Sequence, residues 1–285
     1  MINMLVATDL SERSTPAIGR AARLVREYGG QWTLVHVVDS DAPADLGARQ
    51  AEEAMSALKA SAERLAEQAG CAPDIVVTHG DVVPTLVETA EQRGVDLLVV
   101  GAHRKSALRD FFVGTTVGRV IRSSHIPVLR VVRPALRDYV RSLVALDLSP
   151  VSSDALHAAS RLGLIDSVDV EAVHAAELLP VGAMAEVVPD PKLVDDMLLE
   201  ARQKARAFLQ EAGLDLADGR LHVRDGEARQ VIADQLRDMD ADLLVIGTHA
   251  RRGVQRVLVG SVASSLLDSL DCDVLTVPPA AGHDA

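Results

Sequence analysis

Aromatic side chains are scarce, with one Trp, two Tyr and three Phe in 285 residues. A core without rings has to be built from Val, Leu, Ile and Ala, and a hydrophobic content of 48% supplies them. Such a core suits helix-covered parallel sheets. Cysteine is equally thin: Cys71 and Cys272 make neither a disulfide framework nor a metal-ligand spacing, so a reduced compartment fits. No apolar run approaches the ~20 residues of a membrane span. The opening MINMLVATDLS lacks a charged n-region, so no signal peptide is expected and the cytoplasm is the expected location. Basic charge is in deficit, 29 Lys and Arg against 41 Asp and Glu, for a net −12. Long-range repulsion then argues against nucleic acid and anionic lipid as partners. The chain also lacks Gly-x4-Gly-Lys-Ser/Thr, Gly-x-Gly-x2-Gly and Gly-x-Ser-x-Gly. The P-loop, the usual dinucleotide fingerprint and the hydrolase elbow are therefore absent.

What the chain does have is a construction used twice. Asp242–Ile246 is a short apolar run of the kind buried on both faces of a sheet, and it stops at Gly247. A loop with Arg251, Arg252 and Arg256 follows, and Gly260-Ser261 then opens a helical stripe through Val262, Ala263, Leu266, Leu267 and Leu270. Asp96–Val100 repeats the strand, Gly101 the stop, Arg104, Lys105 and Arg109 the basic loop, and Gly114-Thr115-Thr116 the helix start. The glycines run from 101 to 114 and from 247 to 260, an interval of 13 in each copy. Strand, basic loop, glycine-hydroxyl and helix together present backbone N–H groups and a positive helix end to an anion, most often a phosphate. Ser261 in that setting reads as a helix-start hydroxyl rather than a nucleophile.

The duplication extends over the chain. Asp147-Leu148-Ser149 repeats Asp9-Leu10-Ser11, and His174 repeats His36, at an offset of 138. Strand and helix patterns alternate throughout, which implies right-handed crossovers and parallel sheets. The expected architecture is α/β: two tandem Rossmann-like, doubly wound five-stranded sheets of order 3-2-1-4-5, in domains at 1–135 and 140–280 joined through Pro134–Tyr139. The second copy carries an apolar insertion within Glu177–Pro191, expected to pack on the other half, to form a subunit interface or to cover a ligand. In such sheets ligands bind outside the carboxyl ends where the winding reverses. The loops placed there carry Asp9 with Gly101, and Asp147 with Gly247. Each Asp alone reads equally as a helix-cap or turn residue; paired with a glycine loop that can hold phosphate, it is expected to accept from ribose hydroxyls. His36, His174, His103 and His249 read as orienting or packing residues, with phosphate donation as the alternative.

These residues resemble the universal stress protein family, over nearly the whole chain as two tandem copies. Nucleotide-binding members of that family are similar in a Gly-x2-Gly-x9-Gly-Ser/Thr pattern, with an Asp after strand one and an adenine-facing residue after the strand-two His. The matching positions are Asp147, Ala175, Gly247, His249, Ala250, Gly260, Ser261 and Val262 in the second copy. In the first they are Asp9, Val37, Gly101, His103, Arg104, Gly114, Thr115 and Thr116. Arg104 and Ala250 stand where the pattern has its middle glycine. Alanine there costs on the order of 1 kcal/mol if φ is positive, whereas an arginine either fills the phosphate space with its side chain or replaces a backbone contact with its guanidinium; the second half is expected to be the better site. The resemblance implies a stress-response regulator that binds ATP or another adenine nucleotide, with Mg²⁺ entering only through the phosphates and a carboxylate. It further implies an intramolecular pseudo-dimer, an unidentified protein partner and little or no turnover. Association of whole chains into a homodimer stays open, as do a nucleotide-free interaction module and a weak ATPase.

Overall fold

The computed structural model describes residues 1–41, 43–102, 116–166, 168–176, 178, 190–248 and 261–280. The first half runs β1 (Ile2–Ala7), α1 (Thr15–Tyr28), β2 (Gly30–Asp39), α2 (Ala44–Ala69), β3 (Asp74–Gly80), α3 (Val82–Gln92), β4 (Leu97–Gly101), α4 (Thr116–Ser123) and β5 (Val128–Val131). The second repeats it as β6 (Arg141–Leu146), α5 (Pro150–Arg161), β7 (Asp169–Ala176), α6 (Pro191–Glu211), β8 (Leu221–Asp225), α7 (Ala228–Asp238), β9 (Leu243–Gly247), α8 (Ser261–Ser269) and β10 (Asp273–Val277).

Local chemistry explains the element ends. Pro16 sits in the first turn of α1, where its missing N–H is no loss. Gly29 ends that helix at φ 70°, its N–H donating to the Val25 carbonyl at 2.8 Å. At the start of α5 the Ser149 hydroxyl caps the helix by accepting from the Ser152 N–H, and Pro150 follows it. The runs LLVV in β4 and LLVI in β9 are buried on both faces, as central parallel strands require.

The strands form one sheet in the order β3-β2-β1-β4-β5-β10-β9-β6-β7-β8. Pairing is parallel within each half, and β5 meets β10 antiparallel, with Leu129 opposite Leu275 and Arg130 opposite Val274. Each half runs in the order 3-2-1-4-5, and the β5·β10 pairing joins the two five-stranded sheets into a continuous ten-stranded one. The physical reason lies in β5 and β10 themselves: each is the edge of its own half, and all their residues are buried, so an unpaired edge there would leave apolar strand and backbone donors in water. Helices α1, α2, α5 and α6 cover one face over a core that includes Met4, Trp32, Leu34, Leu156 and Leu209. Helices α3, α4, α7 and α8 cover the other, over Leu5, Val35, Leu86, Val173 and Leu266.

Candidate functional site

The winding reverses at β1 and at β6. β1 lies between β2 and β4, and β6 between β7 and β9, so the chain leaves the sheet on opposite sides of a crevice at the carboxyl ends. Asp9 and Asp147 stand at these exits. Each is followed by a leucine with φ 61°, Leu10 or Leu148, a left-handed conformation that costs a branched residue roughly 1–2 kcal/mol.

Hydrogen bonds hold this turn. In the first half Asp9 Oδ1 accepts from the Ser11 N–H at 3.0 Å and its hydroxyl at 2.7 Å. In the second, Asp147 Oδ1 accepts from the Ser149 N–H at 3.0 Å and its hydroxyl at 2.6 Å. The halves then diverge. The Ser152 hydroxyl donates to Asp147 Oδ1 at 2.5 Å, whereas its counterpart Ser14 shares a 2.8 Å hydroxyl–hydroxyl bond with Thr8 and donates to the Ser11 carbonyl. Thr8 also accepts from the Leu10 N–H, supporting the strained turn. In the second copy Leu146 stands in place of Thr8 and offers no hydroxyl, so the buried serine turns to the carboxylate instead. For Asp9, partial burial favours the neutral form, but hydrogen bonding, led by the two donors of Ser11, outweighs it and holds the carboxyl below its ordinary 3.8.

Gly101 and Gly247 end β4 and β9 directly beside the opening turns of α1 and α5. A Cβ on Gly101 would lie 2.8 Å from the Arg13 carbonyl oxygen. On Gly247 it would lie 2.8 Å from Val151 Cγ1 and 2.9 Å from the Val151 oxygen. These glycines therefore let the first helix of each half approach the fourth strand closely. That requirement stands beside any role in binding.

His36 and His174 place Nδ1 2.9 Å from the Thr8 and Leu146 carbonyls respectively. This fixes each ring against the end of the first strand, as an orienting residue should. Val37 and Ala175, next along β2 and β7, are half-buried. Thr116 opens α4 and is exposed; Ser261 and Val262 open α8, and Val262 packs on the core. The remaining predicted positions, His103, Arg104, Gly114, Thr115, His249, Ala250 and Gly260, lie outside the described residues, as do the basic loop residues and most of Glu177–Pro191. What is described is thus the side of each crevice that carries Asp9 and Val37, or Asp147 and Ala175. Sequence reasoning missed Thr8, Ser14 and Ser152, although Ser14 and Ser152 recur at the offset of the Asp pair.

A groove of about 690 Å³ runs along α1 between Pro16, Gly19, Arg23 and Pro134–Leu136, and none of the predicted site residues lines it. Among the described residues no cluster of His, Cys, Asp and Glu could hold a metal ion, and no helix is long and apolar enough to cross a membrane.

Fold and crevice together define a doubly wound α/β protein in tandem, with a switch-point crevice in each half. Comparison with known proteins gives the family. The model of the universal stress protein family matches residues 1–132 and again 139–278. Universal stress protein E of Escherichia coli K12 is 24% identical over 300 residues, covering 97% of this chain and 94% of that protein. Universal stress protein A homolog 2 of Coxiella burnetii is 33% identical over 141 residues, 49% of this chain and 95% of its own. A universal stress protein from Archaeoglobus fulgidus shares the fold at a TM-score of 0.71 and 19% identity, over 97% of this chain and 98% of its own. The chain belongs to the universal stress protein family, as a tandem member.

Proposed function

We propose that this protein is a cytoplasmic stress-response regulator that binds an adenine nucleotide, ATP or AMP, in its switch-point crevices, and in the second half by preference. One observation carries the reading. In both halves a serine-pinned aspartate ends the first strand beside the glycine that ends the fourth, with a histidine fixed against the same strand end. A carboxylate held in this way accepts from ribose hydroxyls without first having to be ordered, which lowers the cost of binding. The second half is favoured on two counts. Asp147 takes an additional hydroxyl donor in Ser152, and Ala250 intrudes less than Arg104 where the family pattern has glycine. Mg²⁺ enters with the phosphates rather than at a site of its own. The protein acts by nucleotide occupancy, which changes the surface offered to a protein partner, rather than by turnover.

Mass spectrometry of small molecules released from the purified protein tests the reading. Adenine nucleotide in the wild type, reduced in Asp147→Ala more than in Asp9→Ala, is the expected result. Absence of nucleotide from the wild type, with no uptake of added ATP, favours a nucleotide-free interaction module instead.

A further inference from the structure

The two halves meet about a local pseudo-dyad. In the antiparallel β5·β10 pair Leu129 faces Leu275, and these two occupy the same place in their respective copies. An interface with that symmetry is close to self-complementary: β5 of one chain has much of what it needs to pair with β5 of another, and β10 likewise. Such pairing would link chains rather than close one.

A buried polar cluster breaks the symmetry. Arg20 of α1 is 5% exposed and Asp273 at the start of β10 is 1% exposed. The Arg20 Nε lies 3.4 Å from Asp273 Oδ2, and the guanidinium stacks 3.9 Å from the centre of the Tyr139 ring. The Tyr139 hydroxyl donates to the same Asp273 oxygen at 2.7 Å, while Asp273 Oδ1 accepts from the Val132 N–H at 2.8 Å. Arg20 also donates to the Arg137 carbonyl at 2.9 Å. One charge comes from the first half and its partner from the second. At the dyad-related positions the copies carry Ala158 in place of Arg20 and Pro127 in place of Asp273, neither of them able to ionise.

We propose that the Arg20–Tyr139–Asp273 cluster is a pairing-specificity device, which makes a first half accept a second half and refuse another first half. In the arrangement seen, Arg20 and Asp273 each meet an opposite charge. In β5·β5 pairing between two copies, both Arg20 side chains would be buried toward proline, and in β10·β10 pairing both Asp273 carboxylates would be buried toward alanine. Removing the partner of a buried charge is far costlier than the net worth of the pair, so the cluster discriminates strongly even if it stabilises little. The linker adds a tethering advantage equivalent to a local concentration of the order of millimolar. The cluster supplies the remaining selectivity when chains are crowded.

The test uses the full chain with Cys71→Ser, Cys272→Ala and Leu129→Cys, so that one thiol marks the dyad of a β5·β5 pair. The chain is unfolded, refolded at about millimolar concentration, where the tether no longer decides, oxidised, and run on a non-reducing gel. The parent is expected to give essentially no cross-chain disulfide. Asp273→Asn, which keeps the shape and a side-chain oxygen to accept from the Val132 N–H, and Arg20→Met/Asp273→Leu, which removes both charges, each erase the difference between pairings. Both are expected to raise the cross-chain fraction at least about tenfold. Circular dichroism reports whether each variant folds, and the near-isosteric Asp273→Asn decides the matter if the double variant does not. A folded Asp273→Asn chain as free of cross-chain disulfide as the parent overturns the proposal, as does a parent that cross-links as readily as its variants.

Discussion

Replacing Gly247 with alanine adds one methyl group at the point where β9 meets the first turn of α5. The added carbon falls 2.8 Å from Val151 Cγ1, 2.9 Å from the Val151 oxygen and 3.1 Å from its carbonyl carbon. Two of those three atoms are backbone, so a rotamer change cannot relieve the overlap, and the start of α5 has to move. Overpacking of this kind costs about 1–3 kcal/mol. Restricting the unfolded chain returns about 0.4–1 kcal/mol, which leaves a net loss of roughly 0–2.6 kcal/mol. Gly19 provides the internal control. It lies inside α1, and a Cβ there meets only the Ala135 Cβ at 3.9 Å. Gly19→Ala is therefore expected to gain about 0.5–1 kcal/mol. The assay is urea unfolding of both variants beside wild type. Adding Val151→Ala to Gly247→Ala should recover only part of the loss, because the 2.9 Å approach to the backbone oxygen persists. A Gly247→Ala protein as stable as Gly19→Ala would show that the glycine is not there to admit the helix.

Gly163 sits at φ 70°, and a Cβ added to it would lie 2.7 Å from the Tyr28 ring, so Gly163→Ala should lower the melting temperature. Tyr28→Ala in the same chain should remove the clash but leave the backbone penalty. Asp9 ionises below its ordinary 3.8 when folded, so its contribution is complete above that value and is lost as pH falls through the folded one. Asp9→Asn should accordingly flatten the acid limb of a urea-midpoint profile, and an unchanged limb would contradict the assignment. Burial pushes the Cys272 thiol up to about 11, with Asp273 adding to the shift. Alkylation at pH 8 should therefore modify half-buried Cys71 well before Cys272, as peptide mapping would show.

Much of the architecture was legible because duplication and burial leave strong marks. A matched interval between glycines located two equivalent strand–loop–helix units, and apolar runs ending at Gly101 and Gly247 marked strands buried on both faces. The Asp9 and Asp147 turns were visible as repeated Asp-Leu-Ser. Their left-handed leucines were not, since nothing about leucine advertises φ 61°. The divergence between Ser14 and Ser152 depends on whether the first strand ends in Thr8 or Leu146, a difference whose meaning appears only when the side chains meet. The joining of the two sheets was hidden for a related reason. Nothing in the sequence marks Arg20 and Asp273 as partners, and only the β5·β10 pairing brings them out of water together. The two glycines were read for phosphate, yet the close approach of α1 and α5 already demands them.

The central claim is that adenine nucleotide occupies the switch-point crevices. Calorimetric titration of ATP, with Mg²⁺ present, into wild type, Asp9→Ala and Asp147→Ala tests it most directly. Saturable binding that weakens at least about tenfold in Asp147→Ala and less in Asp9→Ala is the predicted result. Wild-type protein that gives no heat at saturating ATP, or whose binding is indifferent to both aspartates, would contradict it.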